Sequence, residues 1–180
     1  MSVIDSALLQ IRQLHPYSPG KPVEELEREL GIANAIKLAS NENPLGCSPL
    51  VGAALASAGE HLELYPDANA YYLKQRLAQK LGVGENQITV GNGSNDVLDL
   101  IARSFLDGNA EAVFSQYAFM VYAMVTQACG ARARVAAAND IDSPQPYGHD
   151  LQAMLEMVND KTRLVFIANL DAQYARIERF

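Results

Sequence analysis

Apolar residues along this 180-residue chain recur with two different periods, and the switching between them draws an alternating pattern of elements. Val23, Leu26 and Leu30 stand at helical spacing, as do Tyr72, Leu73, Leu77 and Leu81, and then Val97, Leu98, Ile101 and Phe105. Short β-branched or apolar runs predict strands at residues 88–90, 112–115, 131–137 and 164–168, with a shorter candidate at 36–39. Helices over residues 119–128 and around Leu151, Met154, Leu155 and Val158 separate the later strands. Strands alternating with helices specify an α/β fold, a mainly parallel sheet with helices packed on its faces. Ligands of such sheets bind where the strands end, at their carboxyl edge.

Punctuation refines the amino-terminal part. Residues 2–14 carry Val3, Ile4, Leu8, Ile11 and Leu14, which predicts a short helix. Pro16, Pro19, Gly20 and Pro22 then force an extended arm. Gly31 stops the helix that begins at Val23. Ser48 is placed to cap a helix running from Pro49 towards Leu62, and Asn69 to cap the one after it.

The chemistry concentrates where residues 88–90 give way to Gly91-Asn92-Gly93-Ser94-Asn95 and then to a helix. The first amides of a helix lack internal partners and carry positive potential, so a strand, a glycine turn and a helix start form an anion site. Gly91 and Gly93 let the backbone come close to a ligand, and Ser94 or Asn95 can cap the helix. The expected ligand bears a phosphate. The turn is not the dinucleotide fingerprint, because Asp96 stands where a third glycine belongs.

Composition narrows the classes. A charged fraction of 19% against 49% apolar residues is that of a globular domain, and a net charge of −7 without a basic cluster argues against nucleic acid. An anion must therefore be held by local dipoles. Cys47 and Cys129 match no metal or redox spacing, and His15, His61 and His149 have no acidic company at useful spacing. Residues 1–20 lack the apolar stretch of a signal peptide, and no run approaches the ~20 apolar residues of a membrane span. These features predict a soluble, cytoplasmic protein.

Several segments together resemble one family. They are Pro16 to Pro22 with Glu24 to Gly31, Leu38 to Gly46 with its Asn41-Glu42-Asn43-Pro44 core, Tyr65-Pro66-Asp67, Gly91 to Asp96, and Tyr117. In order and spacing, over residues 15–169, they are similar to histidinol-phosphate aminotransferases, pyridoxal-phosphate enzymes of the aspartate aminotransferase fold. The resemblance implies an amino-terminal arm over residues 1–35, an incomplete large domain over 36–169, and a tail over 170–180 that is out of register. It implies that Gly93, Ser94 and Asn95 hold the phosphate of pyridoxal 5'-phosphate and that Tyr117 stacks on its ring. Tyr65 would reach the cofactor phosphate of the neighbouring subunit in a homodimer, and Asn43 would lie in the arm over the substrate, a phosphorylated amine. Read without the family, Tyr117 is an ordinary core aromatic, Tyr65 a turn residue, and Asn41 and Asn43 hydrogen-bond their own loop.

The chain departs from the family at its end. Asn169 is followed by Leu170 and Asp171 where the resemblance calls for an Asn-Pro-rich turn that holds the cofactor's ring hydroxyl. The family's aspartate at the pyridine nitrogen, its cofactor-binding lysine and its substrate arginines have no counterpart. Lys21, Lys37, Lys74, Lys80 and Lys161 all stand in other settings. No catalytic residue is therefore assigned, and the chain alone is expected not to turn over histidinol phosphate. A truncated piece of the enzyme is the leading expectation, with poor solubility to match. The alternatives are a non-catalytic phosphate-binding or dimerisation module and an unrelated nucleotide protein of Rossmann type.

Overall fold

The computed structural model describes residues 3–16, 20–38, 40 and 42–168, with the His61 side chain left aside. They fall into two compact units, one of residues 19–90 and one joining residues 1–18 to 91–180.

The second of these contains the sheet. Strand β1 (Glu111–Ser115) lies between β2 (Arg132–Ala136) and β3 (Thr162–Val165), and both pairs are parallel. Helix α5 (Ser94–Phe105) precedes β1, α6 (Met120–Ala128) crosses from β1 to β2, and α7 (Leu151–Glu156) leads into β3. A central parallel strand covered on both faces reads as a continuous apolar run, and every residue of β1 is buried. Alternation divides them. Ala112 and Phe114 join Ala102, Val121, Val125 and Phe166 against α5 and α6, while Val113 meets Ala136 and Met154 under α7. Tyr122 stacks on Phe166 with ring centroids 4.6 Å apart. At the amino end of β1 the buried Glu111 carboxylate accepts from Asn159 Nδ2 at 2.8 Å and faces Arg134 at 3.7 Å. The Asn159 hydrogen bond, helped by Arg134, Arg132 and Lys161, holds this carboxyl below the ordinary glutamate range.

The other unit is built from helices α2 (Val23–Leu30), α3 (Pro49–Ala58) and α4 (Tyr71–Leu81). Local signals define them. Gly31 closes α2 at φ +64°, and the Ser48 hydroxyl accepts the Leu50 amide at the start of α3. None of this unit's described residues is buried, and Leu50, Leu55 and Tyr65 are exposed at 79%, 67% and 101%.

Several elements differ from expectation. Residues 88–90 form no strand: Ile88 is extended (φ −114°, ψ 120°), but no strand among the described residues pairs with it. Strand geometry without a neighbour leaves the ladder unmade. Residues 36–38 are likewise unpaired, with Ile36 and Leu38 exposed, and Ala39 lies outside the described residues. The helix over residues 2–14 breaks into a 3₁₀ turn, Val3–Ser6, and the four-residue α1, Leu9–Arg12. Helix α3 stops at Ala58 and continues only as a 3₁₀ turn, Gly59–His61. Asn69 does not cap α4. The Asp67 carboxylate does so, accepting the amides of Asn69 at 2.9 Å and Tyr71 at 2.8 Å. Those two bonds lower the Asp67 pKa.

Candidate functional site at the carboxyl edge of the sheet

Helix α5 returns to β1 through the short connection 106–110, so the two run in opposite directions and the start of α5 stands at the carboxyl edge of the sheet. There Gly93 is the N-cap with φ +90° and ψ 171°, a conformation open essentially to glycine alone. Gly91 is constrained by space and not by backbone angle. A Cβ on it would stand 2.9 Å from both Asp96 Oδ2 and Val97 Cγ2. The turn is closed from within, because Asp96 Oδ2 accepts the Asn92 amide at 3.0 Å. This corrects the capping expectation: neither the Ser94 nor the Asn95 side chain caps the helix, and no side chain bonds back from the N-cap. Among the described residues no acceptor meets the amides of Ser94, Asn95 or Asp96, and Gly91 to Asn95 are all exposed. Such a donor set fits a phosphate group.

Tyr117 follows β1 at the same edge. It is half-buried, and its ring meets Tyr147 edge-on at 5.5 Å. Tyr147 was not singled out by its sequence. It adopts φ +58° in a loop closed by an antiparallel bridge between Ala138 and His149, and its amide bonds the Asn139 carbonyl at 3.1 Å. His149, which the sequence left without a role, places Nε2 2.9 Å from the Ala168 carbonyl. A carbonyl only accepts, so this nitrogen carries the proton, and the bond ties the loop to the end of β3. The 19-residue separation gives no sequence signal for it. Ser115 Oγ, fully buried at the end of β1, has no hydrogen-bond partner among the described residues.

Tyr65 and Asn43 belong to the helical unit. Tyr65 is fully exposed. Asn43 uses its side chain on its own loop, accepting from the Leu45 amide at 3.0 Å and donating to the Gly46 carbonyl at 2.9 Å. Asn41 and Asn169 lie outside the described residues, as does the tail 170–180. The sheet unit's one lysine, Lys161, precedes β3 and so stands at the amino edge, away from the glycine turn. Among the described residues no three metal-ligating side chains cluster, and no helix is long and apolar enough to cross a membrane.

Residues 33–172 match the family described as aminotransferase class I and II. The chain belongs to that family. Among curated members it is 54% identical over 159 residues to histidinol-phosphate aminotransferase 1 of Idiomarina loihiensis, covering 88% of this chain and 42% of that one. It is 52% identical to histidinol-phosphate aminotransferase 2 of Methylococcus capsulatus, covering 94% and 46%. The chain thus spans less than half the length of these aminotransferases. Histidinol-phosphate aminotransferase from Sinorhizobium meliloti, solved with pyridoxal 5'-phosphate, superposes with a TM-score of 0.76 at 28% identity over 92% of this chain and 44% of that one. Thermotoga maritima aspartate aminotransferase, at 18% identity and a TM-score of 0.70, shows the shared fold.

Proposed function

We propose that this chain is the amino-terminal, phosphate-binding part of a pyridoxal-phosphate-dependent aminotransferase of the histidinol-phosphate type, acting in the cytoplasm in histidine biosynthesis. The observation that carries this reading is the set of free amides at Ser94–Asp96, presented by a turn whose Gly93 sits at φ +90° and whose Gly91 leaves room for the Asp96 and Val97 side chains. Pyridoxal phosphate, when bound, supplies the electron sink for moving an amino group between a phosphorylated amine and an oxo acid.

The chain's own residues bind and orient. The amides of Ser94 to Asp96, with the Ser94 hydroxyl and Asn95 amide at hand, hold the phosphate dianion where the helix dipole favours negative charge. Tyr117, buttressed by Tyr147, would supply an aromatic surface for the cofactor's ring. In a homodimer Tyr65 of one subunit reaches the other subunit's phosphate, and the Asn43 loop forms part of the cover over the substrate. The proton shuttle and covalent anchor require a lysine at the carboxyl edge, and this unit offers none there. The chain by itself therefore binds the cofactor and does not transaminate.

The test is titration of the purified chain with pyridoxal phosphate, followed by absorbance and ring fluorescence, then borohydride reduction and mass spectrometry. Saturable binding that inorganic phosphate competes away, with no lysine specifically labelled, is the expected result. Binding unaffected by Ser94→Glu with Asn95→Glu would overturn the assignment of the phosphate site. Imidazole acetol phosphate formed from histidinol phosphate by this chain alone would overturn its catalytic incompleteness.

A further inference from the structure

Tyr147 occupies the left-handed region at φ +58°, which a bulky side chain enters only at a cost, while its neighbour Gly148 does not. Core filling does not explain this, because Tyr147 is 43% exposed. What the conformation achieves is a contact: the Tyr147 ring stands at 90° to that of Tyr117, with centroids 5.5 Å apart. The loop that carries it, residues 137–149, is stiffened from within. The Asn139 amide donates to the Gly148 carbonyl at 2.9 Å, the Tyr147 amide to the Asn139 carbonyl at 3.1 Å, and Asn139 Nδ2 to the Gln145 carbonyl at 3.2 Å. Gly148 has little room for a side chain, since a Cβ would lie 3.1 Å from the Gln145 carbonyl oxygen. These bonds shape the loop but do not seat it against the sheet. The His149 imidazole does that, with Nε2 donating to the Ala168 carbonyl at 2.9 Å beyond the end of β3. Asp150, next in sequence, caps α7 by accepting the Ala153 amide at 2.9 Å.

We propose that His149 is a positioning residue for the cofactor's ring: its bond to Ala168 seats the loop, the loop sets Tyr147 edge-on against Tyr117, and Tyr117 is thereby held at one tilt. The proposal rests on the reading of Tyr117 as the aromatic surface for pyridoxal phosphate and adds the residues that orient it. Tyr117 is only half-buried, and the terminal torsion of a tyrosine ring is broad unless a neighbour restricts it. An edge-to-face partner supplies that restriction. A surface fixed before the cofactor arrives spares the cost of ordering it on binding.

The experiment titrates pyridoxal phosphate into the full 180-residue chain carrying 13C-labelled tyrosine rings. Without cofactor, His149→Leu should shift and broaden the Tyr117 ring resonance. His149→Gln, whose side-chain amide reaches about as far as Nε2, should restore it. With cofactor, His149→Leu should weaken binding by about threefold to tenfold, the scale of one neutral hydrogen bond, and alter the cofactor's induced circular dichroism. Tyr147→Asn suits the left-handed backbone but removes the ring, and should give the same loss. The two losses should not add in the double variant, and neither should appear in a Tyr117→Ala background. Amide exchange at Phe114 should stay unchanged throughout, separating a misplaced ring from a damaged sheet. An unmoved Tyr117 resonance in His149→Leu, no recovery with His149→Gln, or additive losses would each overturn the inference and leave the reading of Tyr117 standing. Unchanged affinity in Tyr117→Ala alone would overturn that reading, and the inference with it.

Discussion

The sheet unit and the helical unit are held by different physics. Residues 91–168 enclose a core in which Ala102, Ala112, Val113 and Ala136 have no exposed surface, whereas no described residue of 19–90 is buried. The helical unit nevertheless has well-formed helix ends: Gly31 and Gly82 close α2 and α4 in the left-handed region, and Asp67 fixes the start of α4. Caps and stops decide where a helix begins and ends. They contribute roughly 0.5–2 kcal/mol each and do not replace burial of an apolar face. Helix α3 shows the consequence, being almost wholly apolar and exposed along its length.

The largest expected effect lies in the sheet unit. Phe114→Ala removes a ring packed against Tyr122 and Phe166 and should lower unfolding free energy by about 3–5 kcal/mol. Denaturant melts followed by residue-level amide exchange would show protection collapsing across β1 to β3. Gly82→Val, placing a β-branched residue at φ +68°, should cost about 1–3 kcal/mol and loosen the end of α4 alone. Loss of exchange protection in the sheet after that substitution would contradict the separation of the units. Gly93→Ala, strained in the same way at φ +90°, should cost about 1–3 kcal/mol in melting and weaken pyridoxal phosphate binding by about tenfold. The titration described above reads it directly.

A smaller effect has a pH signature. Glu111 is held below the ordinary glutamate value of 4.5, so its stabilising contribution is complete above that value and is lost as pH falls through the lower folded-state pKa. Glu111→Gln should flatten the acid limb of the stability–pH curve below about pH 4.5, while the limb above it keeps its shape. The smallest expected effect is Leu55→Ser on α3, within about 0.5 kcal/mol for the chain alone, because the side chain is already in water.

What could be read from the sequence divides instead by how local its determinants are. Helix α2 ends where Gly31 says it must, and β1, β2 and their crossover helix stand within a residue or two of where periodicity puts them. These elements carry their own signals or their partners within a short stretch of chain. Residues 88–90 have the composition of a strand, but a ladder is a property of two segments, and no described segment supplies the second. The glycine turn was legible because Gly93 must adopt φ +90°, which other residues rarely take, and because Gly91 leaves room for neighbouring side chains. The bond from His149 to Ala168 was not, and neither was the contact of Tyr147 with Tyr117, because both join segments brought together only by the sheet. Asp67 displaced Asn69 as the cap of α4 through a four-residue reach that spacing rules do not single out.

One consequence of the strand order extends to biosynthesis. Since β1 sits between β2 and β3 and all three strands lie between residues 111 and 165, this sheet can form during biosynthesis from one short stretch of chain, without waiting for a distant segment. The glycine turn forms with it, already shaped by Asp96, while among the described residues the outer flank of β3 stays unpaired. While that flank is open the polypeptide is at its stickiest, and holdase chaperones should find their target on α7 and β3 and not on the glycine turn.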